Sequence, residues 1–428
     1  MDEIDRFRPA TSRRRLILGG AASFAIPNLA GCERESRAGY RFETSPRPVA
    51  AAAGFTSTRF ARVAMDPVSS PTVFLLVVAG DDDHSKLILL RSDNGGDTFG
   101  SPVQISADGA PVSAHGENGP SLVVDQGLFI AWDEGGDIRI ARSLSFGSTF
   151  DAPVRIRDVS DDSFGGYVSI AASPQGDIYA VWLDTRDNKG SMETFSVYVA
   201  RSSDKGASFG RNVLVSTGVC PCCRPGVAFG PAGEVLVFYR YVYPESVRDM
   251  TAAVSRDRGN TFTEGRRISA DNWHLDGCPD SGITLARRDG RIYAAWLSEP
   301  APDRSGIRLS WTDDAGASWA PAVIASQSVL DANYPCLASA ADGRIALIFQ
   351  GRDPRAANGW DALRAFVAEI DLSGAVSQPA AVPGSRLAVA RPTLALGSSA
   401  RLFATWTSFD AGKPDVFLAR ARRTEAMK

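Results

Sequence analysis

After residue 32 the chain alternates apolar and polar positions with a period of two, and no ten-residue helical pattern appears. One stretch shows the rhythm clearly. Tyr167 to Ser173 reads YVSIAAS, Asp177 to Leu183 DIYAVWL, Phe195 to Ser202 FSVYVARS, and Asn212 to Ser216 NVLVS. Alternation with β-branched and aromatic enrichment predicts four consecutive strands separated by turns. The same order recurs along the chain, with a second-strand aromatic at Trp132, Trp182, Tyr239, Trp296, Phe349 and Trp406. Counting from Arg59 gives seven units, with six as the alternative count, and the last unit lacks a fourth strand after Arg420. The stretch Gly39 to Thr58 can supply that strand and close a ring, which leaves no exposed sheet edge. The expected fold class is therefore all-β, a β-propeller of four-stranded antiparallel blades. Such a ring grows by repetition and needs no second core at 428 residues.

Between third and fourth strands one eight-residue phrase recurs. It reads SDNGGDTF from Ser92, SLSFGSTF from Ser143, SSDKGASF from Ser202, SRDRGNTF from Ser255 and TDDAGASW from Thr312. The third position is Asn94, Ser145, Asp204, Asp257 or Asp314, and its side chain can accept backbone N–H groups that a tight turn leaves unpaired. The Gly permits positive φ, and the closing Phe or Trp is expected to bury its ring between neighbouring units. Two late units, near Pro335 to Val382 and Arg391 to Arg420, keep the strands without the phrase. The phrase resembles the Asp box, or BNR repeat, of sialidases and related β-propellers. That resemblance covers nearly all the chain after the leader and implies a structural turn, since the box itself performs no chemistry.

The leader stands apart from the fold. Ser12-Arg13-Arg14-Arg15-Leu16-Ile17 resembles a twin-arginine export signal, and the apolar run Leu16 to Ile26 is too short to span a bilayer. Leu29-Ala30-Gly31-Cys32 resembles the lipobox of bacterial lipoproteins, which implies cleavage before Cys32 and lipid attachment to it. Residues 1–31 are then a signal peptide, 32–58 a tether with the ring-closing strand, and 59–428 the propeller. The expected partner is a bacterial membrane, reached through the lipid, with the domain facing the periplasm or cell exterior. The leader holds five Arg and three acidic residues, so the mature charge is 41 minus 46, or −5, with no basic run. No nucleic-acid partner is expected on this ground.

The rare reactive residues sort onto one face. In a propeller the loops entering first strands, and those joining second to third strands, gather around the mouth of the central channel. Cys220-Pro221-Cys222-Cys223-Arg224-Pro225 enters the fourth unit, Trp273-His274-Leu275-Asp276-Gly277-Cys278-Pro279 the fifth, and Tyr334-Pro335-Cys336 the sixth. His115 and His84 fall in loops of the same face. Three readings of the thiols stand. Exported proteins meet an oxidising compartment, where five Cys give two disulfides and one leftover thiol. Alternatively Cys220, Cys222, Cys223, His274, Cys278 and Cys336 contribute to one site for a soft metal, copper first and zinc second. Redox-active thiols are the third reading. In an extended chain Cys222 and Cys223 point opposite ways, so one of them is expected to face the channel.

The charged second-to-third loops, such as Asp184 to Asp187 and Arg248-Asp249, read as solvated. Arg224 and Arg391 each precede a Pro at a first-strand entrance, where an inward guanidinium can grip a carboxylate. Sialidases hold a sugar carboxylate with three arginines and use a Tyr nucleophile paired with a Glu, plus an Asp acid–base. The resemblance offers Arg224, Arg391 and Tyr334 for such roles, with no Glu identifiable beside Tyr334. The Phe/Tyr-Arg-Ile-Pro motif of that family is absent, and Arg59-Phe60-Ala61-Arg62-Val63 is the nearest stretch. Three function classes follow: a metal- or redox-handling binding protein, which the thiols favour, a sialidase-type glycoside hydrolase, and a non-catalytic scaffold for a protein or glycan.

Overall fold

The computed structural model describes residues 39–424, apart from residues 44, 67–70, 81–83, 111, 189–192, 357–358, 360–361, 386–387, 398–399 and 410–412. The leader and Cys32 lie outside the described residues.

The architecture is a β-propeller of antiparallel four-stranded blades, with one four-residue α-helix, Ala50–Ala53, among the described residues. In a representative unit Thr58–Met65 pairs with Val73–Ala79, that strand with Lys86–Ser92, and the last with the short Val103–Gln104. Among the described residues the strands form six hydrogen-bonded sheets: four of four strands, one of five and one of eight. Seven separate sheets are therefore not observed. The third and fourth repeat units share one ladder, because the outer strand Val213–Val219 of one reaches the second strand Val235–Tyr243 of the next through Val219↔Tyr241. The five-stranded sheet holds Ala390–Leu396, Arg401–Ser408 and Asp415–Arg423. Its outer strands come from the far end of the chain, where Tyr40 pairs with Arg423 and Arg47 with Leu418.

Alternation does not describe the second strands. Val73–Ala79 and Ile178–Asp184 are buried at every position. Each such strand is sandwiched between neighbouring units, so both of its faces meet apolar side chains. Trp132, Trp182, Trp296 and Trp406 are among the largest fully buried side chains. The core is correspondingly divided into seven clusters among the described residues. Each draws on two units adjacent around the ring, and one joins the last unit to the first.

The five repeated phrases adopt one hydrogen-bonded turn. In the third, Gly206 N donates to Ser202 Oγ at 2.7 Å, Ser202 Oγ donates to Asp204 at 2.6 Å, and Ser208 N donates to Asp204 Oδ1 at 3.0 Å. Asn94 and Ser145 take the Asp position in the first two copies and still accept the N–H four residues on. The residue before the conserved Gly has positive φ too, from 51° at Phe146 to 71° at Gly95. Bonds from the Thr261 side chain and N–H hold the Asp257 carboxyl down at about 2. The closing rings Phe99, Phe150, Phe209, Phe262 and Trp319 are half-buried and pack on the rims of the clusters between units.

Candidate functional site

First strands surround the axis, and a cavity of ≈ 310 Å³ lies among them, lined by Arg62, Glu117, Arg224, Tyr334, Cys336 and Arg391 with their neighbours. What aims side chains into it is a recurring backbone irregularity. Four first strands slip register, and within the slip a non-glycine residue takes positive φ: Phe60 (52°), Tyr167 (57°), Tyr334 (49°) and Arg391 (49°). Bulky side chains rarely adopt this conformation, and a bulge redirects the one that does. Strain of this kind concentrates at functional sites.

The bulges bring Tyr334 and Arg391 together. The Arg391 guanidinium lies 5.0 Å from the Tyr334 ring and 4.8 Å from the Phe60 ring, and its Nε donates to Gly116 O. Tyr334 O–H donates to Asp280 Oδ2 at 3.0 Å, so the partner of this tyrosine is an Asp from the fifth unit's entering loop. Asp280 Oδ1 accepts Glu117 N at 3.0 Å. A Cβ on Gly116 would stand 2.5 Å from that oxygen, and its φ is 52°, so only glycine lets the loop approach this closely.

Glu117 is the unusual group of the channel. Its Oε2 accepts Arg224 N at 3.1 Å and also Gly282 N. Burial, and then the Asp280 carboxylate, push it up from 4.5 to about 7. Between those values the fold keeps a proton that the unfolded chain has released, so stability falls as pH rises through that window. Glu117→Gln retains an acceptor for both N–H groups and is expected to flatten this fall. Thermal melts across the window check it, and an unchanged slope would contradict it.

Arg224 does not offer a free guanidinium. Its Nε donates to Glu117 O at 2.9 Å, Nη1 to Pro120 O at 3.4 Å, and Nη2 to Gly119 O. It ties the entering loops of the second and fourth units together. A carboxylate grip by Arg224, the role its position before Pro225 suggests, would require breaking those contacts.

Beside this cavity four sulfurs converge. Cys222 and Cys278 form a disulfide with Cα atoms 6.4 Å apart. Cys220 Sγ lies 3.9 Å from Cys222 Sγ and 3.8 Å from Cys278 Sγ, and Cys223 S–H donates to Cys220 Sγ at 3.2 Å. The expectation that Cys222 and Cys223 face opposite ways fails, because residues 220–223 form a turn, which brings both sulfurs to Cys220. Cys220 and Cys223 are buried free thiols, whereas Cys278 is exposed. The hydrogen bond from Cys223, helped by the guanidinium groups of Arg240 and Arg248, holds the Cys220 thiol below the usual range. Burial, and then Cys220 itself, push Cys223 up.

The other two sequence candidates stand elsewhere. His274 is exposed, with Nδ1 3.2 Å from Glu245 O, and falls outside the group of sulfurs that lie within 4.8 Å of one another. Val247 and His274 form an isolated antiparallel bridge. Cys336 lies on the channel wall, half-buried and free, its thiol pushed up by burial.

Two residues around the sulfurs were not singled out from sequence. Arg248 was read as solvated, but strand Val247–Ser255 carries it inward. There its Nη1 donates to Cys220 Sγ at 3.2 Å and its Nε to Leu275 O at 3.0 Å. Arg240 is 1 % exposed and donates to Arg248 O at 2.9 Å, Ser281 O at 3.0 Å and Leu297 O at 2.9 Å. A lone charge inside the apolar run VLVFYRYVY was the available signal.

No family model matches this chain, and no curated protein matches it. Solved structures do. A protein of unknown function from Dyadobacter fermentans is 14% identical with a TM-score of 0.52, covering 90% of this chain and 99% of its own. The GH93 α-L-arabinofuranosidase of Fusarium graminearum is 13% identical with a TM-score of 0.51, covering 73% of this chain and 94% of its own. The NanB sialidase of Streptococcus pneumoniae is 11% identical with a TM-score of 0.47, covering 82% of this chain and 83% of its own. At these identities the likeness is one of fold alone, a β-propeller.

Proposed function

We propose that this chain is an exported, lipid-anchored, sialidase-like β-propeller whose rim binds a soft metal through thiolates, copper before zinc. One observation carries the reading. A tetrahedral thiolate site with metal–sulfur bonds of about 2.3 Å has sulfur–sulfur edges of about 3.8 Å. Cys220 Sγ stands 3.9 Å and 3.8 Å from its two nearest partners in the candidate metal group Cys220, Cys222 and Cys278. Cys223 is the fourth donor within reach, and His274 and Cys336 drop out of the set. Reduction of Cys222–Cys278 supplies the two further thiolates, and the Arg240 and Arg248 charges offset the anionic cluster.

Elemental analysis of protein purified anaerobically under mild reductant is expected to find near-stoichiometric metal, lost in Cys278→Ser with folding retained. Metal-free protein with the disulfide intact under those conditions would leave the cluster as a loop staple. Export and lipidation at Cys32 rest on the leader alone, and a Cys32→Ser protein that still fractionates with membranes would remove the anchor. In this reading the eight-stranded sheet counts as two blades, making seven, and the repeated turns are Asp boxes. The seven clusters between units support that count.

A second reading is favoured by the pairing of Tyr334 with Asp280 beside Arg391: glycoside hydrolysis in the channel. Its test is release of a chromogenic leaving group from a sialoside or an arabinofuranoside, abolished by Tyr334→Phe. The absence of turnover on both would leave the channel without this role. The commitment of Arg224 to backbone carbonyls ranks this reading second.

A further inference from the structure

Only two of the four clustered sulfurs are bonded. A loop staple needs the bonded pair alone, and a metal site needs no bond at all. The staple does not account for a third sulfur 3.9 Å and 3.8 Å from the two ends of the disulfide, and the metal site accounts neither for the bond between those ends nor for a fourth sulfur only 3.2 Å from the third. We propose that the cluster is a thiol–disulfide exchange centre, in which Cys220 attacks the Cys222–Cys278 bond and Cys223 resolves the product. The disulfide thereby migrates from Cys222–Cys278, one half-buried and one exposed sulfur, to the buried pair Cys220–Cys223. This rests on the reading of the cluster as chemically reactive thiols and is independent of the metal.

The steps balance without any oxidant or reductant. Cys220 loses its proton to water, and its sulfur bonds to Cys278 Sγ. The Cys222–Cys278 bond breaks, and Cys222 leaves as a thiolate toward the Asp280 N–H, which lies 3.3 Å from that sulfur. Cys223 then gives up its proton and bonds to Cys220 Sγ. The Cys220–Cys278 bond breaks, Cys278 leaves as a thiolate into solvent, and the two thiolates take back the two protons. One disulfide is present throughout. Arg248 holds the attacking sulfur through Nη1 while Leu275 O fixes its Nε, so the guanidinium is set before the reaction begins. Cys278 is exposed and is the point at which a small thiol or disulfide from solvent would load or unload the centre.

Migration also changes what the channel feels. The Cys222–Cys278 bond ties the segment carrying Asp280 to the fourth unit, and the carboxylate of Asp280 accepts Tyr334 O–H and Glu117 N. Releasing that tie loosens the channel's acidic corner.

The test uses metal-free, oxidised full-length protein in chelator without reductant, incubated natively with N-ethylmaleimide. Peptide mass spectrometry then reads alkylation at Cys278, which lies on a segment separate from residues 220–223. Progressive labelling of Cys278 is expected, with one disulfide per chain retained, and Cys220→Ser should cut it by about tenfold or more. Cys336→Ser should leave it unchanged. The proposal is overturned if wild-type Cys278 stays unlabelled, if Cys220→Ser labels equally, or if each chain carries two disulfides. The wild-type measurement decides alone should Cys220→Ser fail to fold. A labelled Cys278 in a protein that never binds metal removes only the metal reading, and a static disulfide in a protein that binds metal when reduced removes only this one.

Discussion

Replacing Arg240 by Met should destabilise the protein by about 3 kcal/mol or more. The guanidinium serves three backbone carbonyls in a place that is 1 % exposed. Removing it strands acceptors whose burial costs about 1–3 kcal/mol each when unpaired. Two of those carbonyls belong to the neighbouring fifth unit, Ser281 and Leu297, and the third to Arg248, which bonds the Cys220 sulfur. The substitution therefore separates two units and loosens the thiol cluster at once. The Trp273 ring, 5.1 Å from the guanidinium carbon, loses its cation as well. Arg240→Lys is expected to recover only part of the loss, because an ammonium cannot reach three divergent acceptors as a planar fork does. Denaturant midpoints of the two variants against wild type measure this. A change below about 1 kcal/mol in Arg240→Met would mean that the carbonyls find other partners.

Deleting residues 39–48 should have the next largest effect. Tyr40 is 1 % exposed and belongs to the cluster that joins the sixth and last units. Burial of one such ring stabilises by about 4 kcal/mol at ordinary area coefficients. The deletion also strips the ladder partners of Arg423, Arg422, Ala421, Leu418 and Phe417, which turns Asp415–Arg423 into an open edge. Open edges pair with other chains. Size-exclusion chromatography should show oligomers or aggregate, and the thermal transition should broaden and drop. A monomer with an unchanged melt would show that the ring holds without this strand.

The fold was legible because repetition multiplies weak signals. One strand of seven residues cannot be told from a buried helical turn, but the same order of strands and the same turn phrase, met again and again, leave few architectures. The sector of the ring that holds the thiols was legible for the same reason, since the position of a loop within its unit decides which face it joins. The details of the site were not. Cys222 and Cys223 come to one centre because Pro221 sits in a turn, and nothing in the spacing separates that turn from an extended strand. Asp280 becomes the partner of Tyr334 across two units, a contact set by bulges whose only mark in the sequence would have been glycine. Here Phe60, Tyr167, Tyr334 and Arg391 take that conformation instead. Arg224 looked free because its position before a proline says nothing of the carbonyls waiting at Glu117, Gly119 and Pro120.

The seam at Val219↔Tyr241 has a consequence for how the molecule breathes. Elsewhere neighbouring blades are separate ladders that meet mainly through side chains, with single backbone bonds such as Thr58 N to Pro414 O at 3.1 Å. Here the two blades are stitched by backbone, and Cys220 N continues the stitch by donating to Arg240 O at 2.8 Å. Amide protons along Phe195–Ser202 and Val235–Ser255 should then exchange with solvent together, as one cooperative block with a single opening free energy. The buried thiols ride on that block. A large reagent would reach Cys220 and Cys223 at the rate at which this double blade opens, whatever the intrinsic reactivity of the sulfur.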